Sequence, residues 1–392
     1  MRKILLCLAL MLLAGGASAQ HNHGGGTPEA FTATPAFAPD GTLWLVRAMT
    51  DRIVVSKSTD HGRTLSDPVA VTPDAMKLDW GPDARPHIAV DPKGGLIVTF
   101  AIFQDQRFNG RAFFSRSTDH GASFSRPQPI TADTTSQRFE TVAIDPAGHP
   151  FAAWLDKRNI AKARAAGRSY PGAALAYAWS DDGGGSFGAT GIALDNTCEC
   201  CRLGMGFAGP GRPVMVFRNI FDGSVRDHAV VTFRDATTPG PIKRVSVDDW
   251  KVEACPHHGP SLAIAPDGSQ HVAWFTDGKA RKGLFYARAD SADASFGEPR
   301  ALSPPDRQPA RPYVLATGRA IHLVWKEFDG NKALVRWQVS RDGGRTFSAT
   351  RTVADTDDAS DHPLLAEHAG RAYLSWLTKA QGYRLIALED QP

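Results

Sequence analysis

The stretch Leu262-Ala-Ile-Ala-Pro-Asp-Gly-Ser-Gln-His-Val-Ala-Trp274 decides the fold. Two short runs of strand-forming residues flank Pro-Asp-Gly, a tight-turn sequence, and the second run ends in an aromatic. Such a pattern is a β-hairpin. It recurs at Pro35 to Trp44, His87 to Phe100, Val142 to Trp154, Gly204 to Phe217, Val314 to Trp325 and Leu364 to Trp376. These seven copies, roughly 50–65 residues apart, have the period of an architecture built from stacked units.

A second string falls between the hairpins. Ser117-Thr-Asp119-His-Gly121-Ala-Ser123-Phe124, Ser180-Asp-Asp182-Gly-Gly184-Gly-Ser186-Phe187 and Ser340-Arg-Asp342-Gly-Gly344-Arg-Thr346-Phe347 are full copies. Ser58 to Leu65 differs only in its last residue, and Ala289 to Phe296 is a worn version. The reading is a tight turn. The Asp accepts local backbone N–H groups, the Gly takes a backbone angle that other residues avoid, and the aromatic fills the gap between two sheets. This string resembles the Asp-box of sialidase-like propellers. Hairpin, third strand, turn and fourth strand make one four-stranded blade. The chain is therefore expected to be all-β, a single β-propeller with seven blades by this count and six as the alternative. The seventh unit stops after Leu388, so a strand near Ala30 to Thr34 is expected to complete it and close the ring.

Composition agrees. Of 392 residues, 37 are Gly and 27 Pro, too many for a helical protein, and 42% are hydrophobic, enough for a large core. The 44 Lys and Arg nearly balance the 41 Asp and Glu, which leaves no broad basic field for nucleic acid. Residues 1–19 read as a secretory signal: Arg2 and Lys3, an apolar run from Ile4 to Leu13 too short to span a bilayer, and Ala17-Ser-Ala19 as cleavage site. Export to an oxidising compartment, the periplasm, is expected, with no membrane span in the mature chain. Residues 20–30 read as a flexible His- and Gly-rich start, in which His21 and His23 offer two imidazoles, and 31–392 as the propeller.

In a propeller the innermost strands line a central channel, and the segments entering them form one rim, where a small ligand, glycan or partner protein would bind. Those segments are rich in Arg, Cys, His and Asp: Asp79 to Pro86, Gln137 to Glu140, Cys198 to Arg202, Cys255 to Pro260, Arg307 to Tyr313 and Asp361 to Pro363. The four cysteines outside the leader, Cys198, Cys200, Cys201 and Cys255, all precede inner strands, in blades four and five. Three readings stay open. An even count in an exported protein suggests two disulfides, with Cys198–Cys201 and Cys200–Cys255 the least strained pairing. A strained bond would be redox-active. The third reading is a metal site, in which Cys198, Cys200, Cys201 and Cys255, with His257 and His258, offer the sulfur and imidazole donors that suit copper(I) or zinc.

The whole mature chain resembles the sialidase (Asp-box, or BNR) β-propeller superfamily. Residues 198–278 are similar to a bacterial subgroup labelled exo-α-sialidase, which pairs a Cys-Glu-Cys-Cys segment with a later Cys-Pro-x-x-Gly-Pro segment, here Cys198 to Cys201 and Cys255 to Pro260. Between them fit Phe217-Arg-Asn219, Val225-Arg-Asp227 and Asp249-Trp250. The resemblance implies three arginines that grip a substrate carboxylate, a Tyr nucleophile activated by Glu, and an Asp acid/base. Arg85, Arg202 and Arg311 stand at one register before three inner strands, with Tyr313 and Glu140 nearby, but these form no recognisable nucleophile–base pair.

Overall fold

Alternating apolar residues and turn glycines fold the chain into consecutive antiparallel sheets. The computed structural model describes residues 32–254 and 256–389, in which seven sheets follow one another along the chain. Blade 1 runs outward through Ala33–Phe37, Leu43–Met49, Arg52–Ser58 and Val69–Ala70. Each of the seven expected hairpins forms the first two strands of a blade: Leu262 pairs with Val272, Val314 with Leu323, and Leu364 with Ser375. The expectation of seven blades holds. Blade 2 carries an extra short strand, Leu78–Asp79, which pairs with the far end of the same second strand, Leu96–Phe103, that holds the inner strand His87–Val90.

Closure differs from the sequence expectation. Ala33 and Thr34 begin the inner strand of blade 1 rather than an outer strand of blade 7, which has three strands among the described residues. Side-chain contacts join the two blades instead. Phe37 stacks on His368 at 5.0 Å and His61 on Tyr373 at 5.9 Å, while the Ala33 N–H donates to Asp361 Oδ2 at 3.0 Å. The leader, the His21–His23 tail, Ala30 and Cys255 lie outside the described residues.

The core sits between the faces of neighbouring blades, so no blade is buried alone. The aromatic that ends the second strand anchors four of them. Trp154, Trp274, Trp325 and Trp376 are fully buried. Each indole N–H finds an acceptor: Asp156, Asp248, Glu327 and the Asp361 carbonyl respectively, at 2.8–2.9 Å.

The Ser-x-Asp-x-Gly turns lock blade to blade. In one of them the Ser117 hydroxyl donates to Asp119 Oδ1 at 2.8 Å and accepts from the Gly121 N–H at 2.9 Å. Asp119 also accepts the Ser123 N–H at 3.0 Å and the Ser123 hydroxyl at 2.5 Å. The bonds repeat around Asp60, Asp182 and Asp342. Each turn glycine presses on the blade before it. A Cβ on Gly121 would lie 2.5 Å from Trp44, on Gly184 2.4 Å from Ile97, and on Gly344 2.0 Å from the Tyr286 hydroxyl. The following aromatics obey the same rule: Phe187 packs edge-on against Phe114 at 4.9 Å and Phe347 against Tyr286 at 5.0 Å.

Two expected results follow from these turns. Gly344 has φ +84°, so Gly344→Ala combines a left-handed alanine with a clash inside an interblade contact. Together these should cost about 2–4 kcal/mol, read by urea unfolding, whereas an Ala at exposed Gly330 away from any contact should cost only its backbone strain. The second concerns acid. Hydrogen bonds from Ser123 and Ser117 hold the Asp119 carboxyl down at about 2 and those from Ser186 and Ser180 hold Asp182 there too, against an ordinary value of 3.8. A carboxylate with a depressed folded-state pKa adds stability above its unfolded value and loses it as pH falls through the folded one. Unfolding midpoints should therefore drop between pH 4 and about 2, and Asp119→Asn should flatten part of that slope.

Candidate functional site

One residue from each blade meets on the axis. Thr34, His87, Thr141, Gly204, Ser261, Tyr313 and Leu364 line a central cavity of about 210 Å³ together with Asp83, Arg85 and Arg202. The entry segments are bent to reach it. Phe139, His257 and Arg311 each hold a positive φ of 48–59°, unusual for residues with a Cβ, and bulges interrupt the strands at Arg138 and at Ala310. Such local strain clusters where side chains must be aimed.

Of the three expected arginines the structure brings Arg85 and Arg202 into the lining of this cavity and leaves Arg311 outside it, on Asp83, and it matches each of the three internally. Arg85 forms a two-pronged pair with Asp361, at 2.5 and 3.1 Å, with both side chains almost fully buried. Arg202 Nη1 lies 3.1 Å from Asp83 Oδ1, and Arg311 Nη1 lies 2.7 Å from Asp83 Oδ2. Arg202 also donates to the carbonyls of Pro260 and Pro312. Its side chain crosses Gly259, where a Cβ would lie 2.1 Å from Arg202 Cγ, so only glycine gives that path room. His362 sits beside the pair, and burial together with Arg311, Arg85 and Arg202 holds its imidazole well below the usual range, in the neutral form. Tyr313 lines the cavity, and among the described residues no carboxylate bonds its hydroxyl.

Glu140 stands apart from Tyr313. It lies on the blade 3 entry beside Asp79, which grips Arg138 at 2.5 and 2.9 Å. Burial, reinforced by Asp79, pushes the Glu140 carboxyl well above its ordinary value, so it is held as the neutral acid. The nucleophile–base pair implied by the resemblance is not assembled from these two residues.

The cysteines converge. Blade 3's outer strand ends at Thr197, and the chain crosses to blade 4 through Cys198-Glu-Cys200-Cys201. The Cys198 N–H donates to the Arg218 carbonyl at 2.8 Å, fixing the start of the crossing. Cys198, Cys200 and Cys201 are all buried, and their Sγ atoms lie within 4.8 Å of one another. Sγ of Cys198 is 3.4 Å from that of Cys200 and 4.0 Å from that of Cys201. A disulfide needs about 2.05 Å. The Cys198–Cys201 bond expected as one alternative is therefore not formed, because the crossing places the sulfurs at the corners of a triangle. Cys255, the other partner considered, is outside the described residues.

The histidines stand next to this triangle without joining it. Among the described residues the three sulfurs, without either imidazole, are the one group close enough together that it could hold a metal ion. His258 stacks on Phe275 at 4.2 Å, and burial, aided by Arg311, lowers its pKa to about 3. His257 faces the Phe139 ring at 6.3 Å. Residues to which the sequence reading gave no role form the wall. Arg226 Nη1 lies 3.2 Å from Cys198 Sγ, and Arg218 lies over the Trp250 ring at 4.2 Å. Asp227 holds that wall by accepting the N–H groups of Asp248, Asp249 and Trp250. Hydrogen bonds from Cys200 and Cys201, helped by Arg218 and Arg226, pull the Cys198 thiol well down, while its bond with Cys198 pushes Cys201 up. The signal was present in Phe217-Arg-Asn219, Val225-Arg-Asp227 and Asp249-Trp250, but spacing alone does not say that these segments enclose the sulfurs.

No helix of the described residues is long and apolar enough to cross a membrane. No family model matches the chain, and no curated protein matches it. Solved structures share its fold. A polysaccharide lyase of family PL25, an ulvan lyase, aligns over 92% of this chain and 92% of its own, with TM-score 0.59 and 13% identity. A Hadza microbial sialidase aligns over 86% of this chain and 73% of its own, with TM-score 0.52 and 15% identity. The Penicillium chrysogenum α-L-arabinanase complexed with arabinobiose aligns over 82% and 97%, with TM-score 0.50 and 13% identity. At such identities the likeness is one of fold.

Proposed function

We propose that this propeller is an exported, periplasmic metal-handling protein that binds copper or zinc through Cys198, Cys200 and Cys201 beside the central cavity. The supporting observation is the sulfur triangle. Metal–thiolate bonds of about 2.3 Å place sulfurs roughly 3.8 Å apart around a tetrahedral ion, and the separations here are 3.4 and 4.0 Å. Three soft donors on one crossing suit copper(I) or zinc, not a hard cation. Cys255 is retained as a further donor on the sequence expectation, and His257 and His258 as flanking imidazoles.

The test is anaerobic titration of the mature chain with copper(I) and with zinc against competing chelators, joined to elemental analysis of protein from its native compartment. One equivalent per chain is expected. Cys198→Ser and Cys201→Ser should each weaken binding beyond the roughly 10–100-fold that follows loss of a partner outside the coordination sphere. If no metal binds the fully reduced protein, the reading fails.

One observation favours a second reading, a glycoside hydrolase of exo-α-sialidase type: Arg85 and Arg202 line one cavity, and Arg311 pairs with Asp83 of the same lining. Asp83 and Asp361 already fill their grip. Hydrolysis of fluorogenic sialosides that is lost in Arg311→Ala would support it.

A further inference from the structure

Resting on that metal reading, we propose that the site selects a monovalent soft ion, copper(I), over zinc(II), and that Arg218 and Arg226 are the residues that set the choice. Three thiolates around a monovalent ion carry two negative charges and around a divalent ion one; with Cys255 as a fourth donor the charges are three and two, and the difference is the same. Any cation held beside the sulfurs therefore favours the monovalent complex by the interaction of one extra unit of charge. In low-dielectric surroundings that difference is large, because solvent does not screen it.

The sulfurs are buried, the Arg226 guanidinium stands against one of them, and Arg218 flanks the crossing that carries them. Arg226 Nη1 points at Cys198 Sγ from 3.2 Å. Arg218 is 1% exposed, and its carbonyl already anchors the Cys198 N–H. One of its nitrogens donates to the His258 carbonyl at 2.8 Å. Its Nε and Nη1 have no partner among the described residues, and no carboxylate there lies within ion-pair distance of it. A buried guanidinium left in that state is costly unless an anion faces it. A doubly negative thiolate complex supplies that anion. The acidic residue nearest in sequence, Glu199, turns away to Lys157 at 2.5 Å.

The experiment measures the exchange constant between copper(I) and zinc(II) on the reduced, mature chain under anaerobic conditions, in wild type, Arg226→Gln, Arg226→Lys and Arg218→Gln. Copper(I) should displace zinc(II) in the wild type. Arg226→Gln should lower the copper-to-zinc preference by about 100-fold or more, the effect of one charge roughly 5 Å from the ion at an effective dielectric near 20. Arg226→Lys should retain most of the preference, which a merely structural role for Arg226 would not predict. Circular dichroism checks that Arg218→Gln still folds; should it not, the Arg226 pair decides alone. An unchanged preference in Arg226→Gln overturns the inference while leaving the metal reading intact. So does a wild type that prefers zinc(II) and loses it in Cys255→Ser, since a fourth thiolate shifts the balance to a divalent ion. Failure to bind either ion overturns the metal reading itself.

Discussion

Asp361→Ala is expected to destabilise the propeller by about 3–5 kcal/mol, the cost of leaving a buried charge without its partner. Asp361 and Arg85 are 1% and 4% exposed at their side chains, so water cannot take over the role of either. The carboxylate does more than neutralise Arg85. Its Oδ2 accepts the Ala33 N–H at the start of the first strand, and its Oδ1 accepts the His362 N–H. One side chain in the last blade thus ties blades 1, 2 and 7 together, at the seam that no shared strand closes among the described residues. Urea unfolding of Asp361→Ala and of the double variant with Arg85→Met measures this. Removing both charges should recover part of the loss, because a hydrophobic replacement no longer needs a partner. A loss under about 1 kcal/mol in the single variant would mean that the seam is held elsewhere, by the Phe37–His368 and His61–Tyr373 stacks.

The blade count was legible because hairpin chemistry is local. A Gly-containing turn between two apolar runs folds back on itself wherever it stands, and all seven such segments form inner hairpins. The Ser-x-Asp-x-Gly strings were legible for the same reason: Asp119 bonds residues within four positions of itself. Closure was not legible, since Ala33 faces Asp361 across 328 positions and nothing local marks the pairing. The site shows the same division. That Cys198, Cys200 and Cys201 lie together is nearly forced by their spacing, but that Arg226 reaches Cys198 depends on where the third strand of blade 4 begins, at His228. Repeated arginines before inner strands announced Arg85 and Arg202 at the central cavity, with Arg311 one ion pair away through Asp83. That Asp83, two positions before Arg85, would reach across the cavity to the other two was hidden, because the sequence shows an acidic residue without showing its partner.

Asp83 is the residue that separates the metal reading from the glycosidase one. Its two oxygens are taken by Arg202 and Arg311, and it is 5% exposed. It therefore occupies the place that a bound carboxylate would need. Asp83→Ala should lose about 3 kcal/mol of stability, toward the low end for a broken buried pair because Arg311 is 24% exposed. The two freed guanidiniums should then accept an external carboxylate, since paired arginine donors match that group's geometry. Millimolar N-acetylneuraminate or acetate is expected to raise the melting temperature of Asp83→Ala and to leave the wild type unmoved. The double variant Asp83→Ala with Arg311→Met should be more stable than Asp83→Ala and should lose the response to added carboxylate. Should the wild type respond to N-acetylneuraminate as strongly as Asp83→Ala does, Asp83 yields to the ligand in the native protein. The central cavity would then be an open anion site, and the balance would move to the glycosidase.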